Sequence, residues 1–193
     1  MPVQEGSQNR ESNMKRRLWL VLLFSLATLQ AEPVPNEPQG QLGNWSVRSG
    51  DGETRPIHER LAGHQGTLNA IGASTDQDTG QAQQQAFLRT HQQLAEQGID
   101  LPPIVHLNII AGPPRLVQGF IRRGIVREYE EPVQADTIWL MFPDDYSDYE
   151  RQTGLTVGER GYWVWVDAQG HIGWSLEQQG KQTTGLLLEK LEK

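Results

Sequence analysis

The 193 residues include no cysteine. That absence removes disulfides, thiol nucleophiles and thiolate metal ligands together, so stability has to come from packing and hydrogen bonding. Long apolar runs are also missing. The longest, residues 18–29, is about a dozen residues, whereas a membrane-spanning helix needs about 20. Positive charge is the third deficit, with 17 Lys and Arg against 24 Asp and Glu, a net charge of −7. Nucleic acid and anionic lipid are recognised largely through cations on phosphate, so neither is expected as a partner. Five histidines (His58, His64, His91, His106 and His171) form no HxH or HExxH pair. No metal and no cofactor is expected, because a zinc site needs three or four converging ligands.

What is present begins with an address. Met14-Lys15-Arg16-Arg17 precedes the apolar run, and Gln30-Ala31-Glu32-Pro33 follows it. A basic cluster, a short apolar stretch and a small residue at the cut describe a signal peptide over residues 1–31, with Met14 as the expected true start. An uncleaved anchor is the alternative. Removing residues 1–31 takes four basic and two acidic residues from the chain, which moves the net charge from −7 to −9. Residues 32–43, with three prolines and two glycines among polar side chains, read as a linker. Residues 44–193 then form one domain, expected in the periplasm with no further membrane span.

Within that domain, residues 44–66 carry scattered apolar positions and support no more than an irregular lead-in or a short edge hairpin. Thr67 to Ala73 reads as a strand ending in the polar turn Ser74 to Gly80. Helical spacing then predicts a helix over 81–97 with Phe87, His91, Leu94 and Ala95 on one face, stopped by Gly98. Residues 104–110 read as a strand and 115–127 as a helix with Val117, Phe120, Ile121 and Ile125 inward. A strand over 137–142 and a short capped helix over 146–152 follow. Tyr162 to Val166 and His171 to Leu176 flank Asp167-Ala168-Gln169-Gly170, a strong hairpin signal. Strand alternation puts Trp163 and Trp165 on one face, where core packing is the favoured role. A last helix begins near Thr183. Crossover helices favour parallel pairing and the hairpin adds an antiparallel neighbour, so a mixed α/β sheet flanked by helices is expected.

This order, with a C-terminal β-hairpin and a final helix, resembles the thioredoxin fold in its extended peroxiredoxin and thiol-disulfide reductase form. The text that carries the resemblance is Thr67 to Ser74, Asp144-Asp145 through Gly154-Leu155, and Tyr162 to Ile172, together within residues 64–191. It implies a redox turn at Ser74-Thr75-Asp76-Gln77-Asp78, where no sulfur stands. It also implies a cis-proline before the hairpin, where Gly158-Glu159-Arg160-Gly161 stands instead. Loss of both implies a dismantled redox site, and exported YtfJ-type proteins are similar in that respect.

The expected function is therefore an exported, redox-inactive binding or accessory protein of the bacterial envelope. Its partner is expected to be a protein, peptide or envelope component held at an edge formed by Ser74, Thr75, Asp76, Asp78 and Arg160. Strand ends in open α/β sheets are the usual ligand position, although Ser, Thr and Asp are also ordinary cap residues. The alternative is an enzyme with a non-thiol site at Asp76, Asp78 and His106, including a Ser74-His106-Asp78 arrangement that lacks a GxSxG elbow. Asp144, Asp145, Asp148 and Glu150 suggest calcium by type only, since no ligand spacing accompanies them. The address is directly testable: N-terminal sequencing of the periplasmic product should begin at Glu32, and Leu22→Arg should leave the chain uncleaved inside the cell.

Overall fold

The structure, a computed structural model, describes residues 40–129 and 133–192. The expected signal segment and most of the linker lie outside these residues.

In β4 (Gly66–Ala73) every residue except Gly72 is buried. A strand buried on both faces needs cover on both, and the remaining elements provide it. β5 (Ile104–Ile109) and β6 (Ile138–Met141) run parallel to β4 in succession. Their crossovers are α2 (Gln77–Ala95) and α3 (Arg115–Glu128). β7 (Tyr162–Asp167) lies antiparallel on the other side of β4, and the Asp167-Ala168-Gln169-Gly170 turn returns the chain as β8 (His171–Glu177). β1 (Gly40–Gln41) pairs with β8, and β2 (Ser46–Ser49) and β3 (Thr54–Pro56) form a hairpin beside β6. The eight-stranded order is β1-β8-β7-β4-β5-β6-β2-β3, bounded by a two-residue and a three-residue strand.

Alternation along the strands builds two cores. Ile71, Val105, Leu107, Val164 and Val166 share one face with Ile57 and Leu61 of α1 (Ile57–Leu61) and Tyr149 of α4 (Ser147–Thr153). Leu68, Ala70 and Trp163 share the other with Phe87 and Leu94 of α2 and Leu187 of α5 (Thr183–Leu191). Trp163 is fully buried, with Phe87 edge-on at 5.6 Å. Such a pair adds about 0.5–1.5 kcal/mol to the burial of its area. The indole N–H donates to Gln178 Oε1 at 2.7 Å, and Gln178 Nε2 donates to Thr90 at 3.2 Å, so the polar edge of the tryptophan is satisfied inside the core. Trp165 is half-buried, crossing between Gly66 and Gly173, where a Cβ would come within 2.3 Å and 2.9 Å of its ring.

Four expectations require correction. Composition puts Gly40, Gln41 and Leu42 in the linker, yet β1 pairs with β8 and Leu42 is fully buried. The lead-in contains the short edge hairpin allowed by its sequence, and α1 in addition. α2 begins at Gln77 and not at 81, because Asp76 Oδ1 accepts from the Thr79 N–H at 2.8 Å and caps it. Gly80, read as a turn residue, is inside the helix, where a Cβ would sit 2.9 Å from Ser74 Oγ. Finally, α3 does not turn Val117 and Phe120 inward: they are 42% and 72% exposed, and Leu116 is 97% exposed. Only its second half packs, through Ile125 and Val126 against Ile138 and Leu140.

At Gly161 a Cβ would stand 2.6 Å from the Ile71 carbonyl oxygen and 2.3 Å from the Phe87 ring, whereas at Gly185 in α5 it would meet nothing within 4 Å. Gly161→Ala should lower the urea midpoint by the equivalent of about 1–3 kcal/mol of overpacking, and Gly185→Ala should raise it by about 0.5–1 kcal/mol through helix propensity.

Candidate functional site at the ends of the parallel strands

The C-terminal ends of β4, β5 and β6 converge on Tyr146. Its hydroxyl donates to the Ser74 carbonyl and accepts from the Ala111 N–H at 3.3 Å, which ties the exits of β4 and β5 together. Ser74 Oγ donates to the Asp76 carbonyl at 2.9 Å. The Thr79 backbone N–H holds the Asp76 carboxyl below the usual carboxylate range, so the turn carries a negative charge at neutral pH.

Nearly two turns into α2, Gln83 is buried and its Nε2 donates to the Gly158 carbonyl at 2.8 Å and the Ala73 carbonyl at 3.3 Å. One amide therefore joins the end of β4 to the loop before β7. Beside it a groove of about 440 Å³ runs between α2 and α3. Its floor is Gly72 and Asn108, which face one another across β4 and β5. Ile121, Gly124 and Ile125 form the α3 wall, and Ser74, Thr75 and Asp76 stand at its mouth. Gln84 Nε2 donates to the Ile125 carbonyl at 3.2 Å and links the two walls.

Three residues of the expected edge thus line this groove, and two do not. Asp78 is exposed in the first turn of α2. Arg160 is exposed in the loop before β7 and pairs with Glu177 at 3.4 Å. Gln83, Asn108 and Tyr146 were missed, since a buried glutamine within Gln83-Gln84-Gln85 has no spacing that separates it from an exposed one.

The enzyme constellation does not assemble. His106 lies in the middle of β5, opposite Ala70 and Ile138, fully buried. Its Nε2 meets His91 Nδ1 at 2.9 Å, and Tyr129 and Trp163 rings stand edge-on at 5.0 Å and 6.4 Å. Asp76 is occupied as a cap and Asp78 faces solvent, so nucleophile, base and orienting carboxylate are not within reach of one another. The acidic run is also divided. Asp145 accepts from Ser147, Asp148 from Trp45 and Gln152, and Glu150 from the Val157 N–H. Among the described residues no three His, Cys, Asp or Glu come together as a metal site.

No protein-family model matches the chain, and no curated protein matches it in sequence. Solved structures do match. The SCO1/SenC family lipoprotein of Bacillus anthracis aligns at a TM-score of 0.59 and 10% identity over 80% of this chain and 94% of its own. Yeast Sco1 aligns at 0.56 and 14% over 81% and 97%, and it has also been solved with copper bound. A thiol:disulfide interchange protein from Bacteroides aligns at 0.52 and 10% over 83% and 93%. The fold is thioredoxin-like. In this thioredoxin-like chain the β4–α2 junction carries Ser74 to Asp78, and no sulfur is present for thiol-disulfide exchange.

Burial, reinforced by the neighbouring His91, lowers the His106 pKa from 6.5 to about 3. The folded state therefore holds His106 neutral while the unfolded chain takes up its proton below pH 6.5. Stability conferred by this difference is complete above that pH and is lost as pH falls towards 3. Between pH 7.5 and 4.5 the wild type should lose about 2.5 kcal/mol more than His106→Phe, measured by urea unfolding at both pH values.

Proposed function

We propose that this chain is an exported, redox-inactive thioredoxin-fold protein, a binding or accessory component of the bacterial envelope. It captures a protein, peptide or other envelope component at the edge made by Ser74, Thr75, Asp76, Asp78 and Arg160. The observation that carries this reading is the groove mouth. The place where a thioredoxin-like scaffold presents its strand ends is concave and partly apolar, and it is framed by hydrogen-bonded side chains that leave Thr75 exposed. The basic-apolar-small pattern of residues 14–31 supports export, and the absence of cysteine supports a role other than redox exchange.

Copper, bound in one of the yeast Sco1 structures, does not fit the residues here. Cu(I) favours thiolate and thioether ligands. The chain has no cysteine, and Met141 is enclosed in the hydrophobic core. The His91 and His106 nitrogens that face one another are already engaged together. A copper-carrying role therefore does not transfer.

The test is affinity capture from periplasmic extract with the tagged, exported chain as bait. A specific partner should be retained by the wild type and by the remote variant Lys181→Glu, and reduced about tenfold or more by Thr75→Arg, as expected for blocking a central contact. Capture that Thr75→Arg leaves unchanged would remove the edge from the interface.

A further inference from the structure

We infer that the groove between α2 and α3 is a site for a small apolar group carrying a neutral N–H or O–H donor, such as a primary amide or an alcohol, with Gln83 Oε1 as its acceptor. The inference rests on reading the β4–β5 edge as a binding surface and adds the chemistry of what enters beside it.

The orientation of Gln83 is fixed by its surroundings. Its Nε2 faces two carbonyl oxygens, those of Gly158 and Ala73. A flipped amide would set oxygen against oxygen at both places. Oε1 is therefore turned towards the floor, 3.2 Å from the position a Cβ on Gly72 would take. Gln83 is 3% exposed, and among the described residues no donor reaches this oxygen. A buried acceptor without a donor is costly, and a donor arriving with a ligand removes that cost.

The neighbouring polar groups do not supply one. Asn108 Nδ2 is directed to the His106 carbonyl and the Tyr129 hydroxyl, each at 3.3 Å, and Gln84 Nε2 to the Ile125 carbonyl. Both amides stabilise the groove and leave Gln83 as its open acceptor. The walls beyond are apolar, from Ile109, Ile121 and Ile125, and a volume of about 440 Å³ lies within the range of small-molecule sites. Charge at the rim is mixed, with Asp76 and Glu128 against Arg127. A carboxylate at the inner end would meet a lone acceptor and no cation, which selects against anions.

The experiment is ¹H–¹⁵N NMR titration of the full chain with hexanamide and hexanoate, which share a six-carbon chain and differ in the head. Hexanamide should move the backbone resonances of Gly72, Asn108 and Gly124 together with the Gln83 side-chain amide pair, and bind about tenfold or more tightly than hexanoate, a difference of about 1.4 kcal/mol. Gly124→Leu should abolish these shifts, because Gly124 lines the groove and a Cβ there meets nothing within 4 Å, which leaves room for the larger side chain to fill it. Gly72→Ala, which sets a methyl group against Oε1, should weaken hexanamide selectively while the remaining resonances stay in place. Equal affinity for the two probes overturns the donor-specific inference. Shifts that survive Gly124→Leu, or no shift at millimolar probe, overturn the groove as a small-ligand site. Partner capture lost on Thr75→Arg would leave the edge reading standing in either case.

Discussion

The structure depends on the burial of β4 on both of its faces. Because that strand has no solvent side, its neighbours must supply parallel and antiparallel ladders along its edges, and helices must close over it from above and below. α2 and α5 cover Leu68 and Ala70, and α1 and α4 cover the core that includes Ile71 and Ala73. The one position that escapes is Gly72. The missing side chain there provides room for the groove floor, so the site is a consequence of an interruption in the packing of the central strand.

The fold was legible where one physical signal dominated. A short run ending in a polar turn marked β4, a β-rich run of strand length marked β5, the Asp-Ala-Gln-Gly turn marked the hairpin, and helix formers with a repeating apolar stripe marked α2. Misreadings occurred where two signals competed. Gly80 carries the mark of a turn, but it stands inside a helix because Ser74 approaches too closely for a side chain. α3 has apolar residues on several sides, and its periodicity could not say that Ile125 and Val126 pack while Phe120 does not. β1 is held by two residues of ladder in a segment whose composition is that of a linker.

The candidate site was legible in outline only. Ser74, Thr75 and Asp76 follow from the topology, because the crossover from β4 to α2 puts them at a strand exit. Arg160 was placed near them by its position before the hairpin, but its side chain pairs with Glu177. Gln83 and Tyr146 could not be found from sequence. Both act through hydrogen bonds to backbone carbonyls contributed by distant parts of the chain, and no local pattern encodes such a partner. Together they hold the strand exits through an amide and a phenol.

The outermost strands carry a separate consequence. At one boundary of the sheet the described ladder is two residues long and includes Gly40; at the other it is three residues long and ends in Pro56. An unfinished sheet margin usually offers a row of free N–H and C=O groups on which another chain can deposit. The β3 margin, short and closed by a residue without an N–H, offers little such template. Growth of the sheet past β3 is therefore disfavoured at Pro56, which has no N–H to give to a further strand.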